Sequence, residues 1–149
     1  MDKKDSKARR IVGQYAKLTK RTKAHAAYLP NMEVLVEGMA KYKLNSKVDV
    51  SSGFWQVGVS ERAKELTAFK TPYGRCFRWL CMPFGLQGSH GVFQEMMEVL
   101  CNKVKAQENV KDILKKGSVA AFVDDCGLGT QSEEEHLKVL ETFLQTCLD

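Results

Sequence analysis

The spacing of hydrophobic and polar positions along the chain predicts three helices. Between Ser89 and about Lys105 the apolar residues form one helical face: Val92, Phe93, Met96, Met97, Val99 and Leu100. A second apolar stripe follows the capping box formed by Ser132 and Glu135, at Leu137, Leu140, Phe143, Leu144 and Cys147. A shorter helix is expected after Pro30, with apolar positions at Met32, Leu35, Val36 and Met39.

Short segments of alternating or β-branched apolar residues, bounded by turn residues, predict strands. Residues 47–50 and 55–59 are expected to be strands on either side of a Ser-Ser-Gly turn. Residues 66–70 and 75–82 are expected to pair across the turn residues Pro72-Tyr73-Gly74.

A final strand pair is predicted near the C-terminus. The apolar run 119–123 meets Asp124 and Asp125, and residues 126–130 follow in extended pattern. This arrangement predicts a hairpin with two acidic residues at its tip. Strands interleaved with helices that cover one face of a sheet indicate an α+β domain.

Length and composition are those of one globular domain. The chain has 149 residues, of which 44% are hydrophobic and 28% charged, and it contains no repeat or Pro/Gly/Ser-rich linker. No apolar run is long enough for a membrane helix, and the N-terminus is charged, so a cytoplasmic protein without membrane contact is expected. The five cysteines are odd in number and lack a CxxC pair, which predicts reduced and mostly buried thiols rather than disulfides or a zinc site.

Positive charge is concentrated at the start of the chain. The net charge is +5, yet residues 1–24 carry nine lysines and arginines and only two aspartates. A turn at residues 3–7 followed by a strand over residues 10–18 would form a basic arm. Such arms are typical of proteins that bind phosphate polymers or phosphorylated small molecules, and they are also common as solvated surfaces.

Three carboxylates stand where apolar residues would be expected. Asp124 and Asp125 lie at the hairpin tip, and Asp49 interrupts the alternating segment that begins at Lys47. Like charges a few ångströms apart resist joint ionisation unless a cation lies between them. Adjacent aspartates are common in ordinary loops, but three such carboxylates could hold a pair of Mg²⁺ ions about 3.5 to 4 Å apart.

Several motifs in a fixed order resemble those of reverse transcriptases, most closely the gypsy class of LTR retrotransposons. They are KVDVSSGFWQV from Lys47, TAFKT from Thr67, MPFGL from Met82, Phe93-Gln94 and FVDD from Phe122. Tyr28-Leu-Pro30 and Ser132–Leu137 fit the same class, whereas the basic arm resembles the fingers hairpin of retroviral enzymes. The resemblance covers nearly the whole chain and implies an α+β fingers and palm fold, with an antiparallel sheet packed on helices and a catalytic Asp-Asp hairpin.

The resemblance implies an RNA-directed DNA polymerase that joins a dNTP to a primer 3′-hydroxyl on an RNA or DNA template. It makes Asp49, Asp124 and Asp125 the catalytic and metal-binding residues, with the Val50 carbonyl as a further ligand. The implied cofactor is Mg²⁺ or Mn²⁺. One ion would lower the pKa of the attacking hydroxyl, and the other would hold the triphosphate and the leaving pyrophosphate.

Nucleotide-binding residues are implied on both sides of the first aspartate. Lys3 and Arg10 of the basic arm would clamp the triphosphate, or they belong to a solvated face. The backbone N–H groups of Ser52 and Gly53 would donate to phosphate. Phe54 would lie beneath the sugar and exclude a 2′-hydroxyl, or it is a core residue beside Trp55.

The remaining implied contacts lie near the templating base. Phe84 would contact the nucleotide, and the template would be bound by Gly85, Gln87, Lys20 and Arg21. His136 is interpreted as a surface or packing residue, because the three histidines lack metal spacing. His90 stands where the family generally has proline, which leaves the start of its helix open.

The resemblance also divides the chain. The fingers would comprise residues of about 1–45 and 60–90, and the palm residues of about 46–59 and 91–149. The thumb and RNase H would be absent from this single partial polymerase unit, 1–149. Ala106–Lys116 looks like an insertion. Residues 13–16 and 18–19 depart from the family pattern of the fingers strand.

Three interpretations follow from these features. The first is the fingers and palm part of a polymerase from a retroelement polyprotein. The second is a domesticated or inactive nucleic-acid-binding module that keeps the fold. In the third, the chain has a purely structural or assembly role, and a partner chain or other polyprotein parts, such as a thumb, complete the polymerase.

Overall fold

The computed structural model describes residues 12–23 and 28–148. Its helices are α1 (Ala16–Thr19), α2 (Met32–Met39), α3 (Glu61–Leu66), α4 (Ser89–Ala106), α5 (Glu108–Lys111) and α6 (Glu133–Leu148). Its strands are β1 (Leu44–Asp49), β2 (Phe69–Lys70), β3 (Cys76–Phe77), β4 (Ser118–Phe122) and β5 (Asp125–Thr130). Two short 3₁₀ helices cover Gly53–Gln56 and Ile113–Lys115.

The main sheet has three antiparallel strands in the order β1-β5-β4. In β1 and β5, Leu44 pairs with Thr130 at one end and Asp49 with Asp125 at the other. In β4 and β5, Phe122 pairs with Asp125, so that only two residues form the turn of this hairpin. The predicted α+β architecture and the hairpin with two acids at its tip are therefore confirmed.

One face of the sheet carries the hydrophobic core. Helices α4 and α6 cover this face, and the buried apolar residues come from the helices and from alternating strand positions: Phe93, Met97, Val104, Val139, Phe143, Val119, Ala121, Cys126 and Leu128. Full burial of one such large side chain contributes about 1.5 to 3 kcal/mol. The two long helices predicted from apolar spacing are confirmed, and His90 does not displace the start of α4, which begins at Ser89.

The opposite face of the sheet is approached by α2, the short helix predicted after Pro30. Two glycines of β5 allow this close approach. A β-carbon at Gly127 would lie 3.2 Å from Cε of Met39, and one at Gly129 would overlap the ring of Tyr42. Asn31 caps α2, because its side chain accepts a hydrogen bond from Glu33 N–H at 2.8 Å.

The N-terminal half differs from the prediction in three places. The strand expected over residues 10–18 is wrong where it is described, since Ala16–Thr19 is helical. The strand expected at residues 55–59 is also wrong, because Gly53–Gln56 forms a 3₁₀ helix and only Gly58 makes a β-bridge, with Cys81. Helix α3 was not predicted. The turn expected at residues 3–7 lies outside the described residues.

The remaining comparisons concern the second hairpin and the thiols. Strands β2 and β3 pair as predicted but are only two residues long, with Phe69 opposite Phe77 and Lys70 opposite Cys76. The five cysteines are free thiols in this structure, and only Cys101 and Cys126 are buried, so the expectation of mostly buried thiols is wrong. Among the described residues, no helix combines the length and the hydropathy that crossing a membrane requires.

Candidate active site

The three predicted aspartates meet at one end of the main sheet. Asp49 is the last residue of β1 and Asp125 the first of β5, and the two are directly paired. Asp124 precedes Asp125 in the turn, and its carbonyl accepts a hydrogen bond from Val50 N–H at 2.9 Å. Residues paired across antiparallel strands project from the same face, so Asp49 and Asp125 share the sheet face opposite the α4 and α6 core.

The turn that carries Asp124 has a strained backbone. Val123 has φ 52°, in the left-handed region that a β-branched residue rarely occupies. Such a conformation costs on the order of 1 to 3 kcal/mol and persists only where surrounding contacts hold it. The side chain of Val123 is buried in the core, which is one such contact.

Gln94 of α4 supplies the other contact. Its side chain is buried, accepts a hydrogen bond from Val123 N–H at 2.7 Å and donates one to the Ala121 carbonyl at 3.0 Å. The amide also donates to Glu98 at 3.0 Å. Gln94 therefore joins the central helix to the backbone on the β4 side of the acidic turn.

Lys47 places a positive charge among the acids. Its ammonium lies 2.8 Å from a carboxylate oxygen of Asp125, and its side chain is 69% exposed. This hydrogen bond, with the negative charges of Asp125, Asp49 and Asp124, raises the pKa of Lys47. Lys47 is therefore ion-paired with one of the three aspartates of the site.

The aspartates fit a divalent cation in their chemistry and backbone placement. Carboxylate oxygens are the ligands that Mg²⁺ prefers, and these three come together at the end of one sheet. Among the described residues, however, no group of three or more His, Cys, Asp or Glu side chains is arranged to hold a metal. In this conformation Lys47 supplies the positive charge at Asp125, so the carboxylates would have to reorient around an ion.

The loop after Asp49 has the tight geometry expected of a backbone donor loop. Ser52 has φ 55°, and the following Gly53 is buried against Phe93. Gly53 N–H donates to the Val50 carbonyl at 3.2 Å. The Val50 carbonyl thus has one lone pair engaged and one available for a ligand, whereas the Gly53 N–H, which was predicted to donate to phosphate, donates within the chain in this conformation.

Replacing Gly53 with alanine is expected to destabilise the chain by about 1 to 3 kcal/mol, because overpacking a filled core forces its neighbours to move. The added β-carbon would overlap the buried ring of Phe93. Chemical denaturation would measure the loss. Gly38→Ala is the matched control, since a β-carbon there meets nothing within 4 Å, and equal stability of the two variants would contradict the packing argument.

Phe54 lies in a cluster of aromatic rings beside this loop. Its centroid is 5.3 Å from each of three rings, those of Phe84, His90 and Phe93, in edge-to-face geometry. The side chain is half-buried. The cluster places Phe54 against Phe84 and Phe93, as the core alternative for Phe54 also expects, and it gives His90 a packing role.

The predicted template residues separate into two groups. Lys20 and Arg21 line an open groove of about 750 Å³ together with Lys17 and Arg62. Gly85 has φ 91°, and a β-carbon there would lie 3.0 Å from the Gly13 carbonyl, whereas Gln87 is exposed. Lys3 and Arg10 lie outside the described residues.

Some contacts at the site were not anticipated from the sequence. Gln94 was part of a motif without an assigned role, and Lys47 was treated only as the start of a strand. Strand alternation could have placed Lys47 on the face of Asp49, two residues away. The partner of Gln94 lies nearly thirty residues away, so no local pattern indicates it.

His136 is a packing residue, as interpreted from the sequence. Its ring nitrogens lie 2.7 Å from Ser46 Oγ and 2.9 Å from Thr130 Oγ1. These hydrogen bonds attach α6 to β1 and β5. The Ser132 hydroxyl accepts from Glu135 N–H at 3.4 Å, consistent with the predicted cap at the start of α6.

Comparison with characterised proteins identifies relatives among viral polyproteins. The chain is 32% identical over 138 residues to polyprotein P3 of Commelina yellow mottle virus, which covers 93% of this chain and 7% of that protein. It is 32% identical over 142 residues to the enzymatic polyprotein of Cestrum yellow leaf curling virus, covering 95% of this chain and 20% of that protein. The chain therefore spans a fifth or less of these relatives.

Solved structures show the same fold. The foamy viral protease-reverse transcriptase in complex with double-stranded DNA matches with a TM-score of 0.78 at 24% identity, covering 93% of this chain and 22% of that one. The same viral protein in complex with an RNA/DNA hybrid matches with a TM-score of 0.75 at 23% identity, covering 91% and 17%. The family model for reverse transcriptase (RNA-dependent DNA polymerase) matches residues 1–149. The chain therefore belongs to the reverse transcriptase family.

Proposed function

We propose that this chain is the fingers and palm part of an RNA-directed DNA polymerase from a retroelement polyprotein of the gypsy or retroviral type. The observation that carries the proposal is the meeting of Asp49, Asp124 and Asp125 at one end of the sheet in a chain of this family. The order of motifs supports the gypsy-class assignment. The polyprotein relatives support a larger protein that also contains other segments.

The packing of the palm core supports the proposed domain division, whereas α2, which the division assigns to the fingers, also contacts β4 and β5 of the main sheet. The palm comprises residues of about 46–59 and 91–149, and its core is formed by the main sheet with α4 and α6. The fingers comprise residues of about 1–45 and 60–90, including α3 and the β2–β3 hairpin. In this division the Phe54 aromatic cluster lies where fingers and palm meet, since Phe84 comes from one and Phe93 from the other.

In the proposed reaction, Asp49, Asp124, Asp125 and the Val50 carbonyl would hold the divalent ions, Mg²⁺ or Mn²⁺. When bound, these ions supply charge stabilisation for attack of a primer 3′-hydroxyl on a dNTP and for the leaving pyrophosphate. Gln94 holds the acidic turn in position, and Lys47 neutralises part of the carboxylate charge before an ion binds. Phe54 and Phe84 would contact the sugar and base, and Ser52, Lys3 and Arg10 the triphosphate.

The template proposal rests on charge. Lys20 and Arg21 share their groove with Lys17 and Arg62, which together provide four positive charges for a phosphate backbone. Gly85 and Gln87 would lie nearer the templating base. The foamy viral structures with the same fold contain double-stranded DNA or an RNA/DNA hybrid, which supports a primer–template partner.

Primer extension tests the proposal. Residues 1–149 would replace the matching segment of the Cestrum yellow leaf curling virus polyprotein, and extension of a DNA primer on an RNA template would be followed with and without Mg²⁺. Mg²⁺-dependent incorporation of dNTPs is expected. A folded chimera that binds primer–template but adds no nucleotide would favour the binding-module alternative. Activity of the separate 149-residue chain that appears only when a thumb segment is added to it would favour completion by a partner.

Changing Phe54 to valine is expected to raise the use of ribonucleotides relative to deoxyribonucleotides by about tenfold or more. The smaller side chain would leave room for the 2′-hydroxyl that the ring excludes by steric clash. The measurement is the ratio of kcat/KM for a ribonucleotide and the matching deoxyribonucleotide. Phe54→Tyr keeps the ring and serves as the control. An unchanged ratio in Phe54→Val would leave Phe54 as a packing residue of the aromatic cluster.

A further inference from the structure

The β2–β3 hairpin differs in composition from the rest of the chain. Residues 69–79 contain four aromatic side chains and three cations, Lys70, Arg75 and Arg78, and no acidic residue. The site described above uses none of these residues. The hairpin is joined directly to α3, whose Arg62 lines the basic groove.

The aromatic side chains of the hairpin are arranged in two ways. Phe69, Phe77 and Trp79 form one group of packed rings. The ring centroid of Phe69 lies 5.9 Å from that of Phe77, at an interplanar angle of 25°, and 5.7 Å from that of Trp79. Phe77 is nevertheless 47% exposed, and Tyr73 at the turn is 93% exposed. Two aromatic rings are thus presented to solvent at the end of a stacked set.

Charge around these rings is positive. Lys70, Arg75 and Arg78 are all exposed. Arg78 acts on Glu61 of α3, whose pKa is lowered mainly by its hydrogen bond with Lys64 and to a smaller extent by the charge of Arg78. An exposed ring flanked by cations is chemically suited to a base attached to a phosphate backbone.

We propose that the β2–β3 hairpin binds single-stranded nucleic acid, with unpaired bases stacked on Tyr73 and Phe77 and phosphate held by Arg75, which strand alternation places on the same face as Phe77. The basic groove is lined by Arg62 of α3, which precedes the hairpin in the chain, and by cations of α1. Stacking requires unpaired bases, and a duplex hides their faces. The inference rests on the proposed function only in identifying this strand as the unpaired template ahead of the primer.

Binding of a fluorescein-labelled 15-nucleotide oligouridylate to the 149-residue chain tests the inference. Fluorescence anisotropy is expected to show weakening of about fivefold to a hundredfold in Tyr73→Ala, and retained affinity in Tyr73→Trp. Tyr73 is 93% exposed, so its removal does not disturb packing. The control is Tyr28→Ala, at another exposed tyrosine, which should bind normally. A blunt RNA duplex should show no difference between Tyr73→Ala and the original chain.

Salt dependence and cross-linking provide separate measurements. Arg75→Gln should reduce the slope of log K against log salt by about 0.7, whereas Lys116→Gln, a change at an exposed lysine outside the hairpin, should not. An oligonucleotide with 5-iodouracil should cross-link to the peptide that contains Tyr73. Normal binding by both Tyr73→Ala and Arg75→Gln, with no cross-link in residues 69–79, would overturn the inference.

The inference and the proposed polymerase function can fail independently. A Tyr73 cross-link in a chain whose chimera adds no nucleotide would support the hairpin site and contradict the polymerase. Normal primer extension together with unchanged single-strand binding by Tyr73→Ala would do the reverse. If Tyr73→Ala instead abolished self-association in sedimentation and left oligonucleotide binding intact, the hairpin would be a protein interface and the inference would be wrong.

Discussion

Replacing Asp124 with asparagine is expected to lower nucleotide addition by several orders of magnitude while the fold is retained. The residue is exposed at the hairpin turn, so the change removes a negative charge without removing buried packing. Charge stabilisation by bound metal supplies much of the rate of phosphoryl transfer, and loss of a metal ligand removes it. The rate would be measured in the chimera used for primer extension.

Direct metal binding separates this effect from a loss of folding. Titration of the 149-residue chain with Mn²⁺, followed by calorimetry, should show weaker binding in Asp124→Asn and Asp49→Asn. Asp112→Asn is the matched control, because Asp112 is an exposed acid that pairs with Lys115 outside the site. Full polymerase activity in Asp124→Asn would contradict the assignment of this residue to the metal site.

Replacing Gln94 with leucine is expected to destabilise the chain by about 2 to 4 kcal/mol and to lower kcat. The substitution leaves Val123 N–H and the Ala121 carbonyl without their partner, and a buried unsatisfied group costs about 1 to 3 kcal/mol. The left-handed backbone at Val123 would also lose one of its restraints. Chemical denaturation and steady-state kinetics would measure the two effects.

Further variants distinguish positioning by Gln94 from general packing. Gln145→Leu on the exposed side of α6 should leave stability unchanged within about 0.5 kcal/mol. Gln94→Glu keeps an acceptor for Val123 N–H but puts a buried carboxyl group against Glu98 and the Ala121 carbonyl, so a loss of stability that grows as the carboxyl ionises is expected. A positioning role predicts a fall in kcat with little change in the KM for dNTP. Wild-type kcat in a folded Gln94→Leu variant would contradict that role.

The parts of the fold that were predicted correctly have long and regular patterns. Helices α4 and α6 each bury one apolar face, so the sequence carries their period over four or more turns. The β4–β5 hairpin was recognisable because an apolar run ends abruptly at two acids. In these segments the local preference agrees with the tertiary packing.

The segments that were predicted incorrectly depend on contacts that are distant in the sequence. Residues 55–59 alternate like a strand, but the buried contact of Gly53 with Phe93 and the left-handed Ser52 start a 3₁₀ helix there instead. Helix α3 is short and mostly charged. The sequence feature that marks its start is Ser60, whose side chain accepts a hydrogen bond from Ala63 N–H. Short elements of this kind carry too little periodicity to be distinguished from loops.

The candidate site shows the same division. Asp49, Asp124 and Asp125 could be selected as candidate metal ligands because they interrupt apolar segments, and the structure brings them together. The contacts around these aspartates could not be predicted, because Gln94 and Lys47 reach their partners only when distant segments of the chain come together. A sequence shows which groups can react, whereas their orientation requires the fold.

The two-residue turn between Phe122 and Asp125 limits which insertions and deletions the chain tolerates. One added residue would shift the pairing of β5 and exchange its two faces, because strand side chains alternate. Cys126 and Leu128 would leave the core, and the positions of Gly127 beneath α2 and Gly129 beneath Tyr42 would receive larger side chains. Residues 107–109, 111 and 112 are exposed, so the connection between α4 and β4 carries no such restriction. Natural variants are therefore expected to differ in length there and to keep the acidic turn at constant length.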